Sequence, residues 1–252
     1  MPTERQEETT EYVPHIGATR QYWRDIILGV NDGLVSVFLL VVGVVGGGLD
    51  PGQVFLTAIA GSIAGAVSMA AGEFLATKSQ DEVLAAELDL ERIHIKEFRD
   101  QEISQLRGFF EDMGVHPDKL DSVVGGFENN DEALLNAMAA LEFGFVESER
   151  RSPYRPMAAS GLLFLAGSLP SVVPFAMADS SAVALTWATT MTLLGLFAVG
   201  VVKASVANSH RIRSGLENMV IAGLGGLVHW KRSGSKLRLR LRASIALAIV
   251  SS

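Results

Sequence analysis

Asp32, Met69 and Glu73 are the residues of this chain best suited to chemistry. Asp32 stands in Gly29-Val-Asn-Asp-Gly-Leu34, inside an apolar stretch from Ile26 to Leu49. Glu73 closes Ser68-Met-Ala-Ala-Gly-Glu73, inside a second stretch from Val54 to Ala76. Apolar stretches of about twenty residues read as membrane-spanning helices, and a carboxylate at that depth is costly unless it pairs or faces water. Met69 lies one helical turn before Glu73, so a thioether and a carboxylate share a face. With Asp32 added, the donors suit a divalent transition metal better than an organic solute. Asp32 enters its span by about six residues, roughly 9 Å of helix. If the two spans are antiparallel, Asp32 and Glu73 lie at matching depth and one ion fits between them. The plainer readings are that Asp32 caps or snorkels with Asn31, that Met69 packs, and that Glu73 pairs at the interface.

A second set of donors lies between the spans. Glu87, Glu91 and His94 fall at i, i+4 and i+7, one stripe of a helix, which Glu102 and Gln105 continue; Met138 and Glu142 are four apart on a later helix. Carboxylate, imidazole and thioether groups on facing helices can gather a cation. The alternative is a solvated face with Glu/Lys and Glu/Arg pairs. Glu91-x-x-His94 also matches the Glu-x-x-His element of di-iron bundles, but a di-iron oxidase needs two such elements and one is present.

The elements that must position these residues follow from the charge layout. Residues 78–155 hold 18 of the 28 acids and 9 of the 21 basic residues, so a polar, acidic block separates apolar ones. The chain divides into a polar segment at 1–20, two spans within 21–77, a helical insert at 78–155, further spans within 156–228, and an atypical basic and apolar tail at 229–252. An all-α polytopic membrane protein with about five spans is expected. Spans three and four are Met157 to Ala178 and Ala182 to Val202. A fifth, from Leu216 to about Val228, is short, and the alternating Lys/Arg and Leu that follow it would be an irregular end, of the kind a shifted reading frame near 229 produces. The first 20 residues carry four Glu and no apolar core of a signal peptide, which makes the first span the expected insertion signal.

Arg20 and Arg24 before span one, Lys78 after span two and Lys203, His210, Arg211 and Arg213 after span four place the N-terminus, the insert and the 203–215 loop in the cytoplasm. The insert reads as a helix from Ser79 to about Met113, a second from near Asp118 to Gly125-Gly126, and a third from about Asn130 to Arg150. Pro170 and Pro174 predict a kink or an early end to span three. Gly29, Gly33, Gly65 and Gly72 allow close helix approach, and Gly61 with Gly65 forms a GxxxG pair. Cys is absent, which excludes thiolate sites and disulfides, and a net charge of −7 argues against nucleic acid as a partner.

In four stretches the chain resembles the vacuolar iron transporter family. They are Arg24-Asp-Ile-Ile-Leu-Gly-Val-Asn-Asp-Gly-Leu-Val-Ser36, Ser68-Met-Ala-Ala-Gly-Glu-Phe-Leu-Ala-Thr-Lys-Ser-Gln80, Gly200-Val-Val-Lys-Ala204 and the glycine-rich segment from Gly215 to Gly226. The resemblance runs over about residues 20 to 228. It implies a five-span homodimer with a cytoplasmic metal-binding insert, moving ferrous iron, sometimes manganese, out of the cytosol in exchange for protons, with no permanent cofactor and no enzymatic activity. Asp32, Met69 and Glu73 match the family's membrane-pathway motif. Glu91, Glu102, Glu142 and Met138 match positions where it places metal-binding residues. His94 and Gln105 depart from it, each standing where the second Glu of a Glu-x-x-Glu pair is expected, and Val146 replaces a further Glu, which implies a differently tuned insert site. Short loops point to a prokaryotic cell membrane rather than a vacuole. A non-transporting membrane sensor with a metal-binding insert is the remaining rival.

Overall fold

A computed structural model describes residues 20–145 and 152–220. These form helices only. The helices are α1 (Arg20–Gly46), α2 (Pro51–Glu97), α3 (Arg99–Asp112), α4 (Pro117–Val124), α5 (Asp131–Leu141), α6 (Tyr154–Met177) and α7 (Ser181–Val206), followed by α8 at residues 211–220. Four of them, α1, α2, α6 and α7, are long and apolar enough to cross a membrane. The chain is therefore an all-α, polytopic integral membrane protein. Of the expected fifth span only residues 216–220, within α8, are described; the rest of it, beyond 220, and the 229–252 tail lie outside the described residues.

α1 ends in a tight turn through Gly48, whose φ of +86° only glycine adopts readily. Asp50 then starts α2 with a capping box: its side chain accepts from Gln53 N at 3.0 Å, the Gln53 side chain accepts from Asp50 N at 3.3 Å, and Pro51 fills the first helical position. The second hairpin turn lies at the same end of the bundle, because Ser181 Oγ donates to Leu49 O. The insert is thereby confined to the opposite end.

α2 has 47 residues and so spans about 70 Å, more than twice the thickness of hydrocarbon. Its apolar first half crosses the bilayer and its polar second half projects beyond. The sequence predicts a separate insert helix from Ser79 to Met113; instead span two and the insert share one helix, since no Gly or Pro between Ser79 and Glu97 interrupts it. The break comes at Phe98, with φ −132° and ψ 36°, and it turns α3 back beside the end of α2. Ile95, Leu106, Val124, Leu134 and Met138 from α2, α3, α4 and α5 form a small buried apolar core for the insert. Arg99 ties it together, donating to Glu128 O at 2.7 Å and to Asp131 Oδ1 at 2.6 Å, and Arg107 pairs with Asp121. α5 ends at Leu141, short of the expected Arg150, and residues 146–151 lie outside the described part.

α6 is the central helix of the membrane domain, packed on α1, α2 and α7. Its contact with α1 is backbone to backbone: a Cβ on Gly33 would stand 2.2 Å from Phe164 O, and one on Gly167 would stand 2.2 Å from Val30 O. Small residues substitute for a hydrophobic driving force that lipid does not supply. Neither Pro170 nor Pro174 ends α6, which continues to Met177. Ser171 and Thr192 hydrogen-bond across to α7 at 3.1 Å, both buried.

Candidate functional site

Two constellations are built on this frame. In the membrane domain, Asp32 on α1 and Met69 and Glu73 on α2 line a single cavity of about 390 Å³. Ser36 and Ser68 also line it, and Phe164 of α6 reaches it past Gly65. Gly65 is needed there because a Cβ would lie 2.3 Å from the Phe164 ring. Gly29 and Gly33 serve the contact with α6 rather than with α2, and Gly72 has no atom near its Cβ position. Asp32 is half-buried, and its Oδ1 accepts a 2.7 Å hydrogen bond from Ser36 Oγ. A thioether, two carboxylates and two hydroxyls thus face one space, a donor set open to a divalent transition metal.

In the insert, the break at Phe98 brings Glu102 of α3 to Glu91 and His94 of α2. One ligand atom from each of the three lies within 4.8 Å of the others. His94 Nδ1 is 3.5 Å from Glu102 Oε1 and 4.0 Å from Glu91 Oε2. Glu91 is 3% and Glu102 5% exposed, yet Glu91 Oε1 and Glu102 Oε2 have no hydrogen-bond partner. Buried carboxylates are normally paired or coordinate metal. Glu91 stands outside the membrane segment, and its pKa is raised from 4.5 to about 7, first by burial, then by the charges of Glu102 and Glu142 and by a hydrogen bond with Glu102. A cation between the carboxylates would relieve both burial and repulsion. The Phe98 ring meets His94 edge-on at 6.0 Å and helps to hold it.

The other expected insert residues lie differently. Glu87 is exposed on α2, outside the cluster. Met138 is fully buried in the apolar core. Glu142 caps the C-terminus of α5, exposed but near enough for its charge to act on Glu91. Ser36 and Phe164 were not singled out from sequence; the i, i+4 spacing of Asp32 and Ser36 was the available signal for the first, whereas the second comes from a distant helix.

Residues 23–231 match the sequence model of the VIT family. The chain belongs to the VIT family. Both constellations fall within the matched region. The chain is 28% identical to "Vacuolar iron transporter 1" of Tulipa gesneriana, over 80% of this chain and 81% of that protein. It is 29% identical to "Vacuolar iron transporter 2" of Oryza sativa subsp. japonica, over 80% and 82%. It is 30% identical to "Vacuolar iron transporter" of Acanthamoeba castellanii, over 62% and 56%. These VIT-family relatives are named as transporters rather than enzymes.

Proposed function

We propose that this chain carries ferrous iron, with manganese as a second cargo, out of the cytosol in exchange for protons. The observation that carries the reading is the shared cavity of Asp32, Met69 and Glu73. The insert collects the ion at Glu91, His94 and Glu102, and the membrane donors pass it onward. Metal binding displaces protons from carboxylates. Reprotonation from the far side then releases the ion, so the same acids couple opposite fluxes.

The basic residues Arg24, Lys78 and Lys203 support an insert facing the cytoplasm, and the membrane is that of a prokaryotic cell. The working unit is a homodimer. Leu28, Ser36, Ser68 and Gly72 line the cavity and are exposed, so a lone chain would present Asp32 and Glu73 toward lipid, and a second copy relieves that cost.

The test is ferrous iron flux into proteoliposomes under an imposed proton gradient, for the chain and for Asp32→Ala. Gradient-dependent flux that disappears in the variant supports the carrier. Undiminished flux in Asp32→Ala removes Asp32 from the pathway. Metal binding without flux in either form identifies a sensor.

A further inference from the structure

Hydroxyl groups in the spans of this chain have a common habit. Thr57 donates to Gln53 O, Ser62 to Ala58 O, Thr189 to Leu185 O and Ser205 to Val201 O, each to the carbonyl four residues back. This is the usual way for Ser and Thr to satisfy a hydroxyl within a helix. Ser36 has the same option at Asp32 O and does not take it. Its Oγ donates instead to the side chain, Asp32 Oδ1, at 2.7 Å. Oδ2 accepts no hydrogen bond among the described residues. Ser36 and Asp32 both line the cavity that holds Met69 and Glu73.

We infer that Ser36 is a specificity-determining residue, which ties one oxygen of Asp32 so that the carboxylate engages a cation through the other oxygen alone. The inference rests on the transport reading of Asp32. A donated proton reduces the negative charge on Oδ1 and opposes a cation there. A first-row divalent ion that also takes the Met69 thioether can be held by one oxygen of this carboxylate. Calcium takes six to eight oxygens, often with a carboxylate gripping it through both. A singly engaged Asp32 therefore disfavours calcium, and it also keeps the cargo ion weakly enough held to leave, as conduction requires.

The test uses the full-length protein in proteoliposomes, measuring ferrous flux against iron concentration, with and without calcium, for Ser36→Ala, Ser36→Thr and Asp32→Ala. Ser36 is exposed, so Ala removes the hydroxyl without opening a core cavity. In Ser36→Ala the apparent KM for iron and the maximal rate both fall, and the calcium concentration that halves flux drops by roughly 5-fold or more. Thr keeps a hydroxyl and behaves as the parent. A fall in rate with KM and calcium inhibition unchanged would mean that the hydroxyl is merely structural. A raised KM would mean that it ligates the ion itself. Either result overturns the inference while leaving the carrier reading in place, provided that Asp32→Ala abolishes flux. Flux retained in Asp32→Ala overturns both.

Discussion

Asn218 of α8 donates from one amide nitrogen to Asn31 Oδ1 at 3.0 Å and to Leu196 O at 2.8 Å. The contact joins residues 187 positions apart and touches α1 immediately before Asp32. Successive residues of a helix point about 100° apart, so holding Asn31 toward α7 and α8 turns Asp32 toward α2 and the cavity. The last described helix thereby helps to set the rotation of the first. Its approach is close, since a Cβ on Gly200 would stand 2.6 Å from Ser214 O.

Asn31→Ala and Asn218→Ala should each lower thermal stability in detergent, by about 0.6–2 kcal/mol as for other interhelical hydrogen bonds in membrane proteins. The double variant should lose less than the sum. Additive losses in the unfolding cycle would show that the two amides do not act on one another.

The insert should become less stable as pH rises, in the absence of metal. Glu91 has an ordinary pKa of 4.5 unfolded and about 7 folded, so the folded form retains a proton that the unfolded form gives up. The stability contributed by that proton is fully present below pH 4.5 and is lost as pH rises through about 7, at up to about 1.4 kcal/mol per pH unit. Amide exchange in α3 and α5 of the full chain, corrected for intrinsic rates, should show protection falling between pH 5 and 8. Manganous ion should restore it by taking the place of the proton.

Glu102→Gln should move stability and binding in opposite directions. Removing one of two buried like charges should stabilise the metal-free insert above pH 7. Loss of a ligand should weaken manganous ion binding by about 10-fold or more. Glu87→Gln, on an exposed side chain outside the cluster, should leave affinity unchanged. Titration calorimetry of the full-length protein in detergent distinguishes the two positions.

Gly33→Ala and Gly72→Ala look alike in sequence and should differ in outcome. At Gly33 the added Cβ meets Phe164 O at 2.2 Å, backbone that cannot step aside, whereas at Gly72 nothing lies within 4 Å. Gly33→Ala should cost roughly 1–3 kcal/mol or more by forcing α1 from α6. Gly72→Ala should fold at least as well as the parent, since Ala is the better helix former. Thermal unfolding of both in the same detergent decides the matter.

Hydropathy and spacing alone made the four spans legible, because a helix crossing lipid must satisfy its backbone internally and be apolar over a known length. The same rule singled out Asp32 and Glu73, since an acid in such a segment is expensive wherever the segment packs. The helical period placed Met69 beside Glu73 at i, i+4 and Glu91 beside His94 at i, i+3, because those relations belong to one helix. Relations between helices were not available in that way. That α2 runs unbroken into the insert, that Phe98 turns Glu102 back toward Glu91 and His94 while Glu87 stays exposed outside the cluster, that Gly33 serves α6 rather than α2, and that Asn218 reaches Asn31 all depend on how helices rotate and cross. Those are set by side-chain fit between segments far apart in the chain, on which the period of any single helix is silent.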